Sequence, residues 1–400
     1  MQRIAQVPRA HWRERLNEQG FRFHSIDPDG HDVSGHEPRF AYWREDVAYR
    51  FTEAQIEQLY AASNDLHAMS MDLVGRIISR GDLGRLDIAA HAQALIEASW
   101  ERRDPHLYGR FDLAWNGIGH PKLLEYNADT PTSIIESAVA QWTWKVDVQP
   151  QADQFNSLHE ALVARLSDIG MRFARPQLHL ACLFDSLEDV GNVEYLMDVA
   201  LQAGWQASML DLSDIGALPD GQFADAQDQA IRACFKLYPW EWLVHEPLAE
   251  HLPASRTQWL EPAWKMVLSN KALLPLLWER HTGHPNLLEA HFNAEPLGSA
   301  RHVIKPLLSR EGANITVMER GQDVLSTGGA YGGQRCIHQA HATLASFPAP
   351  ETTFMHGPLD QVHAVLGTWM VADDCVGLCV REDITPITSN SAYFVPHYFE

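Results

Sequence analysis

Apolar residues recur at helical spacing from Thr52 to Arg80, behind a threonine cap and ahead of Gly81, which predicts one long amphipathic helix. The period then shortens. Phe111 to Trp115 and Lys122 to Tyr126 read as strands, and Asn116-Gly117-Ile118-Gly119-His120-Pro121 between them has the turn chemistry of a hairpin. Helical spacing returns over Pro131–Trp144 and Gln154–Ile169. Next, Gln177–Phe184, Gln206–Leu212 and Ala230–Leu237 read as strands around a helix over Glu188–Ala203. Strands alternating with helices predict a small parallel α/β unit within 175–262. From Ser269 onward a helix over Asn270–Glu279 precedes five strands: His302–Pro306, Asn314–Glu319, Cys336–Ala340, Gly367–Val371 and Gly377–Val380. Polar and Gly-rich turns separate them, so this end of the chain is expected to be antiparallel β.

Composition narrows the class. Four hundred residues exceed what one core usually serves, so two or three subdomains are expected. A net charge of −21 argues against nucleic acid as a partner, because phosphate backbones need clustered Lys and Arg, and it suits a small soluble substrate. No apolar run reaches membrane-spanning length and the N-terminus lacks a signal-like core, so a cytoplasmic protein is expected. The five cysteines (182, 234, 336, 375 and 379) form no CxxC pair and read as reduced thiols. The 21 histidines include no HExxH.

Candidate chemistry concentrates in the early hairpin. Glu125 and Asn127 are two residues apart on one strand and leave the same face, and in-register pairing brings Asp112 beside them. Two carboxylates and an amide oxygen form a hard site suited to Mg²⁺ rather than zinc, and Arg110 next to it can hold a phosphoryl group. The residues alone leave a second reading open, an exposed hairpin carrying a surface ion pair. No Walker A loop or GxGxxG follows a strand. Two lysines nevertheless stand out: Lys271, opening a helix, and Lys305, on a strand just before the small polar loop Ser309–Asn314. A strand lysine facing an anion and a loop offering N–H groups suit phosphates; a salt-bridged lysine beside an ordinary turn fits them too. Arg381-Glu382-Asp383, taken alone, reads as a solvated strand end.

Read together, these segments resemble the glutathionylspermidine synthase family, in its synthetase domain, and more closely its shorter stand-alone bacterial members described as acid–amine ligases. The resemblance rests on RFDLAW at 110–115, LLEYNADTPTS at 123–133, DQFNSL at 153–158, KLYPWEW at 236–242, WLEPAWK at 259–265, SNKALLPLLWE at 269–279, VIKPLLSREGAN at 303–314 and RED at 381–383. It implies an α+β, permuted ATP-grasp fold with an inserted parallel α/β pre-ATP-grasp-type subdomain. The implied division is 1–150 for the helical part and metal-binding hairpin, 151–265 for the α/β substrate subdomain, and 266–400 for the ATP-binding lobe and C-terminal β region.

The resemblance further implies an ATP- and Mg²⁺-dependent carboxylate–amine ligase. By motif position Asp112, Glu125 and Asn127 correspond to magnesium ligands and Arg110 to the transition-state arginine. Arg110, Asp112, Lys271, Lys305, Gly312, Gln339, Arg381 and Ile387 fall at nucleotide-binding positions. Thr130, Thr132 and Ser133 stand where the family contacts its thiol peptide, and Glu188 and Asp189 where it places acids that bind spermidine. The acids are fewer here, and Leu237 replaces a threonine, so the acid, the amine or both are expected to differ from glutathione and spermidine. The family's amidase portion has no counterpart in the matched segments, so amide hydrolysis is not expected. The competing reading is a catalytically silent ATP-grasp protein that binds nucleotide as a sensor or assembly partner.

Overall fold

The long helix forms where the pattern places it, over Glu53–Arg80. Its capping box is complete: Thr52 accepts the Gln55 N–H at 3.3 Å, and the Gln55 side chain accepts the Thr52 N–H at 3.1 Å. Gly81 ends it in a left-handed conformation. The computed structural model describes residues 1–25, 42–348 and 361–400, to which all structural statements refer.

The stripe Ile56, Leu59, Leu66, Leu73 and Ile77 shares one core with Phe111, Leu113, Leu123 and Leu366, so the helix covers one face of a six-stranded antiparallel sheet. The sheet runs Tyr393–Val395, Asp374–Asp383, Gln361–Val371, Tyr108–Ala114, Lys122–Asn127, with Ala345–Pro348 also paired to Gln361–Val371. Two of these strands are longer than the apolar pattern indicates, because polar residues continue the ladder once they have partners. The Arg381–Asp383 segment is not a solvated strand end. Glu382 is fully buried, accepting from Arg3 at 2.5 and 3.0 Å and from the Tyr49 hydroxyl at 2.5 Å.

Helices Gln141–Val148 and Leu158–Gly170 lie against the opposite face, in a second core with Trp144, Leu158, Tyr108 and Trp369. Both start later than their periodicity indicates. Ser133 has φ 74° and a π-helical turn spans Glu136–Ala140 before the first of them. Asp153 and Asn156 bridge instead to Phe399 and Gly377, which holds the chain extended before the second.

The expected parallel unit is present: Gln258–Leu260, Ala233–Lys236, Gln177–Cys182 and Gln206–Asp211 pair in that order, all parallel. Helix Leu187–Gln202 follows Gln177–Cys182 and is capped by Ser186, whose side chain accepts the Asp189 N–H at 3.2 Å. The fourth layer is a five-stranded antiparallel sheet, Ala290–His291, Cys336–Ala340, His302–Pro306, Thr316–Glu319 and Gln322–Ser326. A three-stranded sheet of Gln2–Ala5, Val47–Phe51 and His397–Phe399 joins the two ends of the chain.

Two fully buried ion pairs fasten the parallel unit to the hairpin. Lys236 meets Asp129 at 2.7 Å, and the other Asp129 oxygen accepts the Trp240 N–H at 2.8 Å. Lys265 meets Glu261 at 2.6 Å and donates to the Tyr108 carbonyl at 2.5 Å, while Glu261 accepts the N–H groups of Leu107 and Tyr108.

Candidate functional site

Register decides what the hairpin presents. Arg110 lies opposite Asn127 and Asp112 opposite Glu125, so all four project from one face, with a bulge just beyond Asp112. Phe111 and Leu113 point the other way, into the core under the long helix. The neighbouring strand places Gly367 opposite Asp112 and Trp369 opposite Arg110. Along this face the sheet passes from apolar (Tyr108, Trp369) through charged (Arg110, Asp112) to apolar again at Ala114.

Gly367 matters here although its sequence context does not single it out. A Cβ at that position would overlap Cys379 Sγ and lie 2.8 Å from Arg110 Cδ. The bare backbone leaves the lane in which the Arg110 side chain lies. The guanidinium sits 5.5 Å from the centre of the Trp369 ring and donates to the Thr132 carbonyl at 2.8 Å.

Asp112 is gripped from two sides, by Arg110 at 2.9 Å and by Arg381 at 2.6 Å. The Asn127 amide lies 3.2 Å from both Asp112 Oδ2 and Glu125 Oε1. The surface ion-pair reading of this hairpin does not hold, since Arg110 and Asp112 are both buried. Burial alone would lower the proton affinity of Arg110, but the Asp112 carboxylate beside it raises it.

The C-terminal half supplies the opposite wall. Lys271 Nζ reaches Glu125 at 2.9 Å and the Ser309 carbonyl at 2.5 Å. Lys271 precedes helix Leu273–Arg280, in a turn, rather than lying inside it. Lys305, on its strand as expected, donates to the Leu124 carbonyl at 3.0 Å. Burial would push the Glu125 carboxyl up; the Lys271 and Lys305 ammoniums reverse this and hold it far below the usual range. The same burial brings Lys305 down to about 8, against the pull of Glu125. Gln339 pairs across to Val303 and hands its side-chain N–H to the Leu123 carbonyl at 3.0 Å.

These groups line one cleft of about 320 Å³. At one end it is an apolar slot: Val303, Ile315, Val317 and Ile387 on one side, Leu124, Leu344 and Val365 on the other, with Gln339 among them. Gly312 closes over it at φ 70°, where an added Cβ would lie 2.6 Å from the Thr388 carbonyl and 3.0 Å from Ile387 Cγ2, so no side chain fits. The loop bearing Gly312 is tied down on both flanks. Arg310 grips Glu241 at 2.7 and 2.9 Å and Thr130 at 2.7 Å, and Thr327 donates to the Gly312 carbonyl at 2.5 Å.

The other end is acidic. Glu188 and Asp189 enter from the first turn of the helix after strand Gln177–Cys182, at the carboxyl end of the parallel sheet, where open α/β sheets present their ligand crevice. Thr130, Thr132, Ser133, Leu237 and Trp242 share this end. Burial, with the neighbouring acids, lifts Glu188 above the ordinary range and Asp189 to about 7. Every site residue singled out from the sequence therefore borders this one cleft. Tyr42 and Arg310 also line it, with Glu241 and Gly367 behind them, and Tyr42 and Gly367 carry no local pattern that would have marked them.

The sequence model of the family described as "Glutathionylspermidine synthase preATP-grasp" matches residues 3–400. A Haemophilus influenzae protein described as "Putative acid--amine ligase" is 40% identical over 370 residues, covering 90% of this chain and 91% of the relative. The bifunctional glutathionylspermidine synthetase/amidase of Escherichia coli is 26% identical over 364 residues, and 84% of this chain spans 56% of that protein. Trypanothione synthetase of Crithidia fasciculata is 24% identical over 362 residues, with 84% of this chain spanning 54% of it. Among solved structures, a glutathione synthetase-like effector from Globodera pallida superimposes with a TM-score of 0.54 at 10% identity, over 99% of this chain and all of that one, a likeness of fold alone. Match length and identity place the chain in the glutathionylspermidine synthase family of ligases.

Proposed function

We propose that this protein is a permuted ATP-grasp enzyme that joins a carboxylate to an amine, forming ADP and phosphate through an acyl phosphate. One observation carries the reading: oxygen ligands from the early hairpin and cationic side chains from the C-terminal half face each other across a few ångströms, Lys271 to Glu125 being 2.9 Å.

The donor set fits Mg²⁺ and a triphosphate. Asp112 and Glu125 offer carboxylate oxygens on one face, and a turn of the Asn127 amide would add its oxygen to them; Gly312 leaves backbone where a side chain would fill the cradle. The carboxylates are paired with the arginines and lysines that the phosphates would recruit. Asp112, Glu125 and Asn127 would hold Mg²⁺, which supplies positive charge to the phosphate oxygens. The adenine ring suits the slot between Ile387 and Leu344, with Gln339 at its edge.

A carboxylate is a poor electrophile, and its phosphorylation by the γ-phosphoryl group makes it reactive. That step needs charge stabilisation more than a protein nucleophile. Lys271 and Lys305 neutralise the phosphates being parted, and Arg110 and Arg381 approach the transferred group. Arg110, fixed by Asp112 and the Thr132 carbonyl, then steadies the oxyanion formed when the amine attacks. Thr130, Thr132 and Ser133 line the carboxylate's place, and Glu188 and Asp189 receive an ammonium. The names of the relatives support a peptide-like acid and a polyamine-like amine, while Leu237 and the sparse acids favour a pair other than glutathione and spermidine.

The test is phosphate and ADP release from ATP and Mg²⁺ over a panel of short peptides, glutathione among them, and amines, spermidine among them. ADP that appears only when both partners are present supports the ligase. ADP formed without any amine requirement contradicts it.

A further inference from the structure

Behind the acidic end of the cleft, one buried carboxyl has no part in the scheme above. Glu136 is fully buried, and one of its oxygens, Oε2, has no hydrogen-bond partner among the described residues. Its other oxygen accepts a 2.8 Å hydrogen bond from the Tyr42 hydroxyl. Tyr42 borders the cleft itself, and its hydroxyl also lies 3.1 Å from Ser133 Oγ. Glu136 opens the π-helical turn Glu136–Ala140, a local widening that occurs in helices mostly where a side chain is being aimed. A buried half-satisfied carboxyl costs stability and invites an explanation. Here its satisfied half leads, through one phenol, to the place where the amine must attack.

We propose that Tyr42, backed by Glu136, receives the proton that the attacking amine sheds. The inference rests on the ligase reading and adds the proton's route to it. As the C–N bond forms, the nitrogen becomes ammonium-like. The C–O bond to phosphate then breaks, its electron pair leaving on the phosphate. The nitrogen passes one proton to Tyr42 Oη while the proton of Tyr42 moves to Glu136 Oε1. Glu136 later returns it through Tyr42 to water in the cleft. Tyr42 is the catalytic group, and Glu136 acts through it as a positioning residue and proton store.

The charged surroundings suit this work. Burial first, and then Glu188, raise the Glu136 carboxyl to about 8, with Arg110 and the Tyr42 hydrogen bond opposing. Burial keeps the Tyr42 phenol protonated far above its ordinary range, with Glu136 and Glu188 adding to the effect. A relay that must accept a proton works only with Glu136 ionised, so amide formation rises with pH through about 8.

Infrared difference spectroscopy on the full, substrate-free chain tests the store directly. Glu188 and Asp189 contribute carboxyl bands of their own near neutral pH; one further band is expected to be lost above pH ~8 and to be missing from Glu136→Gln. Identical carboxyl bands in the parent and Glu136→Gln at every pH show that Glu136 takes up no proton and overturn the proposal. Kinetics tests the relay, using the peptide and amine that release most phosphate in the panel. Tyr42→Phe is expected to lower amide formation by about 10²–10⁴-fold, the range of a lost general base. Exchange of ¹⁸O within ATP, which needs only the carboxylate, is expected to continue. Glu136→Gln should flatten the rise with pH. Amide formation within threefold of the parent, or an equal loss of isotope exchange, defeats the relay and leaves the ligase standing. A parent chain that forms no ADP with any pair removes both.

Discussion

Two sets of buried cation–carboxylate pairs lie close together in this molecule, and their surroundings differ. Lys236–Asp129 and Lys265–Glu261 are sealed. Each lysine is fully buried, and the hydrogen-bonding capacity left over on each carboxylate is taken by backbone N–H groups. Lys271–Glu125 and Arg110–Asp112 instead border the cleft. The sealed pairs hold the parallel unit against the hairpin. In the proposed reaction the cleft pairs exchange, their two halves parting toward a cation and a phosphate. Closed ion pairs of this kind contribute position, and removal of one partner leaves an uncompensated charge in the core. Open pairs hold charge in readiness at modest cost.

This contrast can be broken from either side. Lys265→Met strands Glu261 and is expected to destabilise the protein by about 3–5 kcal/mol, seen as a large fall in the thermal midpoint. A midpoint near that of the parent contradicts the sealed-pair account. Glu125→Ala should leave the thermal midpoint within a few degrees, whereas Asp112→Ala strands the buried Arg110 and should lower it further; each should lower ATP turnover on the order of 10²–10³-fold or more, as expected for loss of a preorganised charge. Near-parent turnover in either variant refutes the metal assignment. Gly367→Ala sharpens the contrast from the backbone. Its methyl occupies the lane of Arg110, so activity should fall about 10²-fold, the cost of roughly 1 Å of misplacement, while stability falls by only about 1–3 kcal/mol.

Acid titration gives a smaller effect. Burial keeps His106 near 4 and His397 near 3, below their unfolded value, so both are neutral in the fold. Unfolded, each takes a proton near pH 6.5. Their stabilisation is thus complete above about pH 6.5 and is lost progressively as pH falls toward 4. The thermal midpoint should drop across that window, with a shallower slope in His397→Gln. Least affected should be Arg76→Ala, which removes an exposed pair with Asp72 and should change stability by less than about 1 kcal/mol.

The long helix was readable because period, cap and terminal glycine all agree, and the parallel unit because strand and helix patterns alternate. The shared face of Glu125 and Asn127 was readable from a spacing of two. What the sequence hides are contacts between distant segments. Arg3 is 379 residues from the Glu382 it neutralises, and Glu382 therefore looked like a solvated end. Gly367 looks like any strand glycine until the Arg110 side chain is seen passing over it. Tyr42 and Glu136 are 94 residues apart and meet beside the left-handed Ser133 and the π turn that follows it. Family resemblance alone pointed to Gln339 and Ile387 as candidate nucleotide contacts; no local pattern marked them, and both line the cleft.

The central claim is that hairpin oxygens and C-terminal cations hold one metal–nucleotide complex between them. Calorimetric titration with a non-hydrolysable ATP analogue, with and without Mg²⁺, addresses it most directly. The account predicts Mg²⁺-dependent binding by the parent chain, loss of that dependence in Asp112→Ala, and loss of binding in Lys271→Ala. Equal affinity with and without Mg²⁺, unchanged in both variants, would contradict it.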